Sequence, residues 1–91
     1  MKVYNLTSPR TGNAVANQFM LEAPNGKYFQ SYNSVIAFVP DNGNSVQLDK
    51  RYWDYSRTTT KYLCQFLGET KKQIVAKIKS GEYILTNSNG E

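Results

Sequence analysis

The hydrophobic period of this chain changes once along its length, and that change limits what it can fold into. Up to Asp49 apolar residues recur mainly at every second position, as on a strand. After Arg57 they recur at one, four and five residues, as on one helix face. Between and across these halves lies the segment 51–68, which holds the one Trp, the one Cys, three of the seven Tyr and three cations. Ninety-one residues suffice for one core. The pattern therefore predicts a single α+β domain over residues 1–86 with a frayed tail over 87–91.

The first half reads as an antiparallel meander of four to five strands. Residues 2–7 alternate, and residues 8–13 (Ser-Pro-Arg-Thr-Gly-Asn) carry turn chemistry. Over residues 15–23 Val15, Asn17, Phe19, Leu21 and Ala23 fall on one face, with Ala16, Gln18, Met20 and Glu22 on the other. Asn25-Gly26 between alternating runs predicts a type I′ hairpin, because both central residues then need positive φ. Tyr28, Gln30 and Tyr32 share a face of the next strand. The run 35–39 (Val-Ile-Ala-Phe-Val) is apolar on both faces, so it is the candidate core strand. A turn at 40–44 leads to a strand over 45–49 with Val46 and Leu48 inward.

Two short C-terminal helices are expected to cover this sheet. Asp54 or Ser56 can cap the first, Tyr62, Leu63, Phe66 and Leu67 form its apolar face, and Gly68 ends it. Its run of β-branched Thr58, Thr59 and Thr60 lowers propensity and argues for a later start. Thr70 and Gln73 match a capping box for the second helix, Ile74, Val75 and Ile78 form its buried face, and Gly81 terminates it. Residues 83–86 suggest a final short strand.

Composition excludes several chemistries. With no His and one Cys the chain can form neither an internal disulfide nor a Cys/His zinc site, so no metal and no cofactor is expected. No two of Glu22, Asp49, Asp54 and Glu69 sit in a motif that fixes a catalytic separation. Ser56 has no His to activate it, and Cys64 reads as a small core residue. Non-enzymatic action and no catalytic residue follow. No stretch reads as a signal peptide or a membrane span, which points to the cytoplasm and away from a membrane.

Charge points to a partner. The net charge is +4, with +3 of it from Val46 onward. Arg51, Arg57 and Lys61 interleave with Tyr52, Trp53 and Tyr55, while Lys71, Lys72, Lys77 and Lys79 lie on the second helix. Cations for phosphates beside aromatics for bases suit nucleic acid, the first-choice partner, and two helices joined by a Gly turn also permit a helix-turn-helix reading. The alternative is a protein interface built from Asn17, Gln18, Tyr28, Gln30 and Tyr32, since Tyr is favoured at interfaces. Homo-oligomerisation is a further option for so small a domain.

The residues Ala16-Asn17-Gln18-Phe19, Phe29-Gln30-Ser31-Tyr32, Trp53-Asp54-Tyr55-Ser56, Phe66-Leu67-Gly68 and Ser80-Gly81-Glu82-Tyr83 together resemble a family of short uncharacterised proteins of bacteriophages and mobile elements. That resemblance covers nearly the whole chain and transfers no site residue. It implies a bacterial host cytoplasm, and a role in binding nucleic acid or in blocking a host protein, defence systems included.

Overall fold

The computed structural model of the chain describes residues 2–8 and 10–89. Met1, Pro9 of the first turn, and Gly90 and Glu91 of the tail lie outside the described residues. An α+β fold results: β1 (Lys2–Thr7), β2 (Ala14–Ala23), β3 (Gly26–Ser31), β4 (Ser34–Pro40), β5 (Gln47–Asp49), α1 (Arg57–Leu67), α2 (Lys71–Ser80) and β6 (Ile84–Thr86). The strands form one sheet in chain order. All neighbours are antiparallel except β5 and β6, which pair in parallel. A parallel neighbour requires a crossover, and α1 with α2 supplies it.

The core lies between the helices and one sheet face. Phe29, Ile36, Ala37 and Leu48 from the sheet meet Tyr62 and Leu63 of α1, Ile74 of α2 and Tyr83, all buried. Phe29 stacks on Phe66 at 5.6 Å. Trp53 packs half-buried against this cluster.

The threonine run does not delay α1, which starts at Arg57 under an Ser56 N-cap. Thr59 and Thr60 are buried: Thr59 shares a 2.9 Å hydrogen bond with Ser31, and Thr60 donates to Asp54 at 2.7 Å. These tertiary bonds override the weak propensity of the β-branched residues. The capping box of α2 forms as read, with Thr70 and Gln73 exchanging bonds, and Gly68 and Gly81 close the two helices in the left-handed conformation.

Two strand readings need correction. Alternation is not continuous through β2, because Asn17 has φ +65° and the β1–β2 register slips between Asn5–Phe19 and Thr7–Ala14. This bulge puts Val15 and Gln18, which strict alternation separates, both toward the core. Asn tolerates the left-handed region, and its carbonyl accepts from the Tyr32 N–H at 2.7 Å. In the next hairpin Ala23 pairs with Gly26, so the two-residue loop is Pro24-Asn25 and not Asn25-Gly26. Asn25 has no positive φ. Pro at the second position and Gly at the fourth fit a type I turn, not type I′. Gly26 is needed for another reason: a Cβ there would lie 2.3 Å from the Val39 carbonyl oxygen.

Fraying was expected from Asn87, yet the described part of the tail is tied down. The Ser88 N–H donates to the buried Asp49 carboxylate at 3.0 Å, and the Asn89 amide bonds both backbone groups of Val35. The Asn89 side chain thus takes the place of a strand neighbour where β5 has ended.

Candidate functional site

A cleft of about 460 Å³ opens where the start of α1 meets the start of α2. Asp54, Tyr55, Ser56, Arg57, Thr60, Lys61, Cys64 and Lys71 line it. Helical spacing explains the set, since Arg57, Lys61 and Cys64 recur at intervals of four and three residues on one face of α1. Lys71 arrives from the first position of α2.

The cleft is basic, and its cations stand at an unusual place. Neither helix has an acid in its first turn, and Arg57 and Lys71 are the first helical residues. Cations there oppose the positive end of the helix dipole, and an anion in the cleft would relieve that opposition. Asp54 offsets part of it: its carboxylate pairs with Lys71 Nζ at 2.9 Å and accepts from Thr60. Burial pushes the Asp54 carboxyl up, but the Thr60 hydrogen bond and Lys71 outweigh it and hold the group below its usual range. Of the two cap candidates the sequence offers, Ser56 is the cap, and Asp54 instead ties the two helix starts together.

Tyr55, 48% exposed, stands at the rim. Tyr52 braces it edge-on at 5.6 Å, and the Arg51 guanidinium lies 5.4 Å from the Tyr52 ring centre. Arg51 and Tyr52 therefore form a continuation of the rim. Trp53 faces the core, which leaves Tyr55 as the exposed ring beside the cations. Cys64 lines the cleft wall with a thiol pushed up by burial and by Asp54 and Glu69, so it stays protonated.

The lysines of α2 divide. Lys71 joins the cleft, whereas Lys77 bonds Glu69 and lies 3.6 Å from Glu82. Glu69 also accepts from the Tyr83 hydroxyl. Burial raises the Glu69 carboxyl, but Lys77 and Tyr83 hold it below its usual range, and Tyr83 is pushed up to about 12 by burial and by Glu69. Lys77 thus ties α2 to the turn before it, through Glu69, and to the connection after it, through Glu82. Lys72 and Lys79 are exposed and lie outside the cleft lining.

The alternative interface does not assemble as read. Gln18 is fully buried and cannot meet a partner, because it alternates with Met20 on the face of β2 that lies beside the core residue Phe29. Tyr32 is not a strand residue beside Tyr28: it sits in the β3–β4 turn with φ +56°. Tyr28 and Gln30 do share the sheet face away from the helices, where the Tyr28 ring stacks on Phe38 at 4.4 Å. The Asn17 and Tyr32 conformations depend on each other through a hydrogen bond between distant residues, which no local signal announces.

Among the described residues no group of three or more His, Cys, Asp or Glu side chains gathers to hold a metal. No helix among them is long and apolar enough to cross a membrane. Fold and cleft define a small α+β domain with a basic groove between two helix starts. Residues 1–84 match the model of a family of unknown function, DUF8033, and the chain belongs to that family. No curated protein and no solved structure matches it.

Proposed function

We propose that this protein is a non-enzymatic binding domain whose cleft grips the phosphate backbone of nucleic acid. The observation that carries the reading is the convergence of Arg57, Lys61 and Lys71 on one cleft, beside the exposed Tyr55. Arg57 and Lys61 meet phosphate oxygens, Lys71 exchanges Asp54 for a phosphate, and Tyr55 stacks on an unpaired base. Single-stranded nucleic acid suits this arrangement best, since a base must leave its stack to reach the Tyr55 ring. Arg51, Lys72 and Lys79 extend the positive field beyond the cleft and steer the approach. Fluorescence anisotropy with labelled single- and double-stranded DNA and RNA tests the reading. Arg57→Ala and Lys61→Ala should each reduce the salt dependence of binding by about 0.7 to 0.9 in the log–log slope.

A further inference from the structure

Tyr32 stands in a backbone conformation that its side chain disfavours. Ser31 pairs with Ser34, so Tyr32 and Asn33 form the two-residue loop between β3 and β4. Tyr32 has φ +56° and Asn33 has no positive φ, the pattern of a type II′ turn, whose first central position belongs to Gly. The other described non-glycine residue in this region is Asn17, a type that tolerates it, whereas a bulky ring there is an outlier. Two contacts hold the backbone from outside: the Asn17 carbonyl accepts from the Tyr32 N–H at 2.7 Å, and Gln30 Nε2 donates to the Tyr32 carbonyl at 2.8 Å. The fold gains little in return. The Tyr32 ring is 47% exposed, and among the described residues it stacks on no other ring and its hydroxyl makes no hydrogen bond.

The turn shares an end of the molecule with the basic cleft. β3 ends at Ser31 and β4 begins at Ser34, while β5 runs antiparallel to β4 with Leu48 against Ala37, so Asp49 leaves the sheet at the same end. The loop after Asp49 leads to Asp54, Tyr55 and Ser56 of the cleft. Hydroxyls tie the two places together: Ser31, next to Tyr32, shares a 2.9 Å hydrogen bond with Thr59, and Thr59 accepts from Ser56 at 3.0 Å. In charge the two places differ. Residues 14–20 and 28–34, which brace and carry the turn, include no charged side chain, and Asn17 and Asn33 are exposed there. A phosphate finds no cation on these segments, whereas an unpaired base finds a ring face and neutral amides.

We propose that Tyr32 is a second base-stacking residue, which takes an unpaired base of the same single strand whose phosphates lie in the cleft. The inference rests on the nucleic-acid reading of the cleft and adds a direction to it: the strand runs from the cleft past the start of α1 to the β3–β4 turn. Tyr55 and Tyr32 then hold separate bases, and Arg57, Lys61 and Lys71 hold the phosphates. A backbone fixed at both its N–H and its carbonyl presents the ring with little freedom left to lose on stacking. Stacking accepts any base, so the contact lengthens the bound strand without imposing a sequence.

Anisotropy titrations with a labelled oligo-dT of about 12 nucleotides test the inference on four chains: wild type, Tyr32→Gly, Tyr32→Phe and Arg57→Ala. Tyr32→Gly should weaken binding about fivefold or more at every salt concentration and leave the salt slope unchanged, because a base contact releases no counterion. Its denaturation midpoint should equal or exceed that of the wild type, since Gly adopts positive φ freely. Tyr32→Phe keeps the ring and should bind as the wild type does. Arg57→Ala reports on the cleft separately, through a shallower slope. Undiminished binding by Tyr32→Gly beside weakened binding by Arg57→Ala overturns this inference and leaves the cleft reading standing. A Tyr32→Gly chain that is less stable, or whose slope also becomes shallower, means that the ring supports the fold or the cleft, and this too overturns it. Binding by none of the four chains overturns both readings.

Discussion

Asp54 and Lys71, seventeen positions apart, join the loop before α1 to the first residue of α2 through a 2.9 Å ion pair. The pair closes one wall of the basic cleft and occupies one of its three cations. It therefore acts on stability and on anion binding with opposite signs.

Asp54→Asn is expected to lower stability modestly and raise affinity for nucleic acid. The partners are 34% and 54% exposed, so the pair contributes no more than about 1 kcal/mol to folding. Freeing Lys71 for a phosphate should strengthen binding by a similar amount, a factor of about 5. Denaturant melts and anisotropy titrations of the same variant check both signs.

Stability should fall at both extremes of pH. Asp54 and Glu69 have carboxyls held below their usual range, so their contribution is complete above about pH 4.5 and disappears as pH falls through the lower folded values. Tyr83 is pushed up to about 12 and Lys77 is raised by Glu69, so their contribution is complete below about pH 10 and is lost as pH rises further. Thermal midpoints across the pH range should show a plateau with two declining limbs. Glu69→Gln should flatten both, since Glu69 is the partner common to Lys77 and Tyr83.

Much of this architecture was readable because its causes are local. The capping box at Thr70 and Gln73, the stop at Gly81 and the apolar face of α1 are each set by residues within one or two helical turns. The convergence of Arg57 and Lys61 follows from helical spacing alone. What stayed hidden depends on distant partners. The Asn17 bulge answers to Tyr32, β6 joins β5 in parallel only because two helices carry it back, and Lys77 is taken up by Glu69 and Glu82. Tyr28 and Gln30 were assigned to one face correctly, but Gln18 was placed on the surface although it alternates with Met20 on the opposite, core face, across from the buried Ser31 and Phe29; which face of a strand meets the core is set by distant packing.

Gln18 itself offers a test of which face of β2 meets the core. Its amide is fully buried with no hydrogen-bond partner among the described residues, beside the Ser31–Thr59 pair. Gln18→Met keeps the volume and removes the polar group, and should stabilise the fold by about 1 to 2 kcal/mol in chemical denaturation. If Gln18 faced solvent the change would be near zero.

Gly26→Ala should be severe. The new methyl would meet the Val39 carbonyl oxygen at 2.3 Å and the Phe38 ring at 2.7 Å, on a backbone with φ +152° that side chains rarely adopt. A loss of about 3 kcal/mol is expected, measured as a drop in the denaturation midpoint at unchanged slope.

The most direct measurement is an anisotropy titration of the wild-type chain against short single-stranded oligonucleotides at about 50 and 200 mM salt. With three cleft cations on phosphates, the logarithm of affinity should fall with the logarithm of salt at a slope of about −2. Arg57→Ala should make the slope shallower, and Tyr55→Ala should weaken binding at both salts equally. An absence of binding at the lower salt, or binding that ignores salt and survives Arg57→Ala unchanged, would contradict a phosphate-gripping cleft.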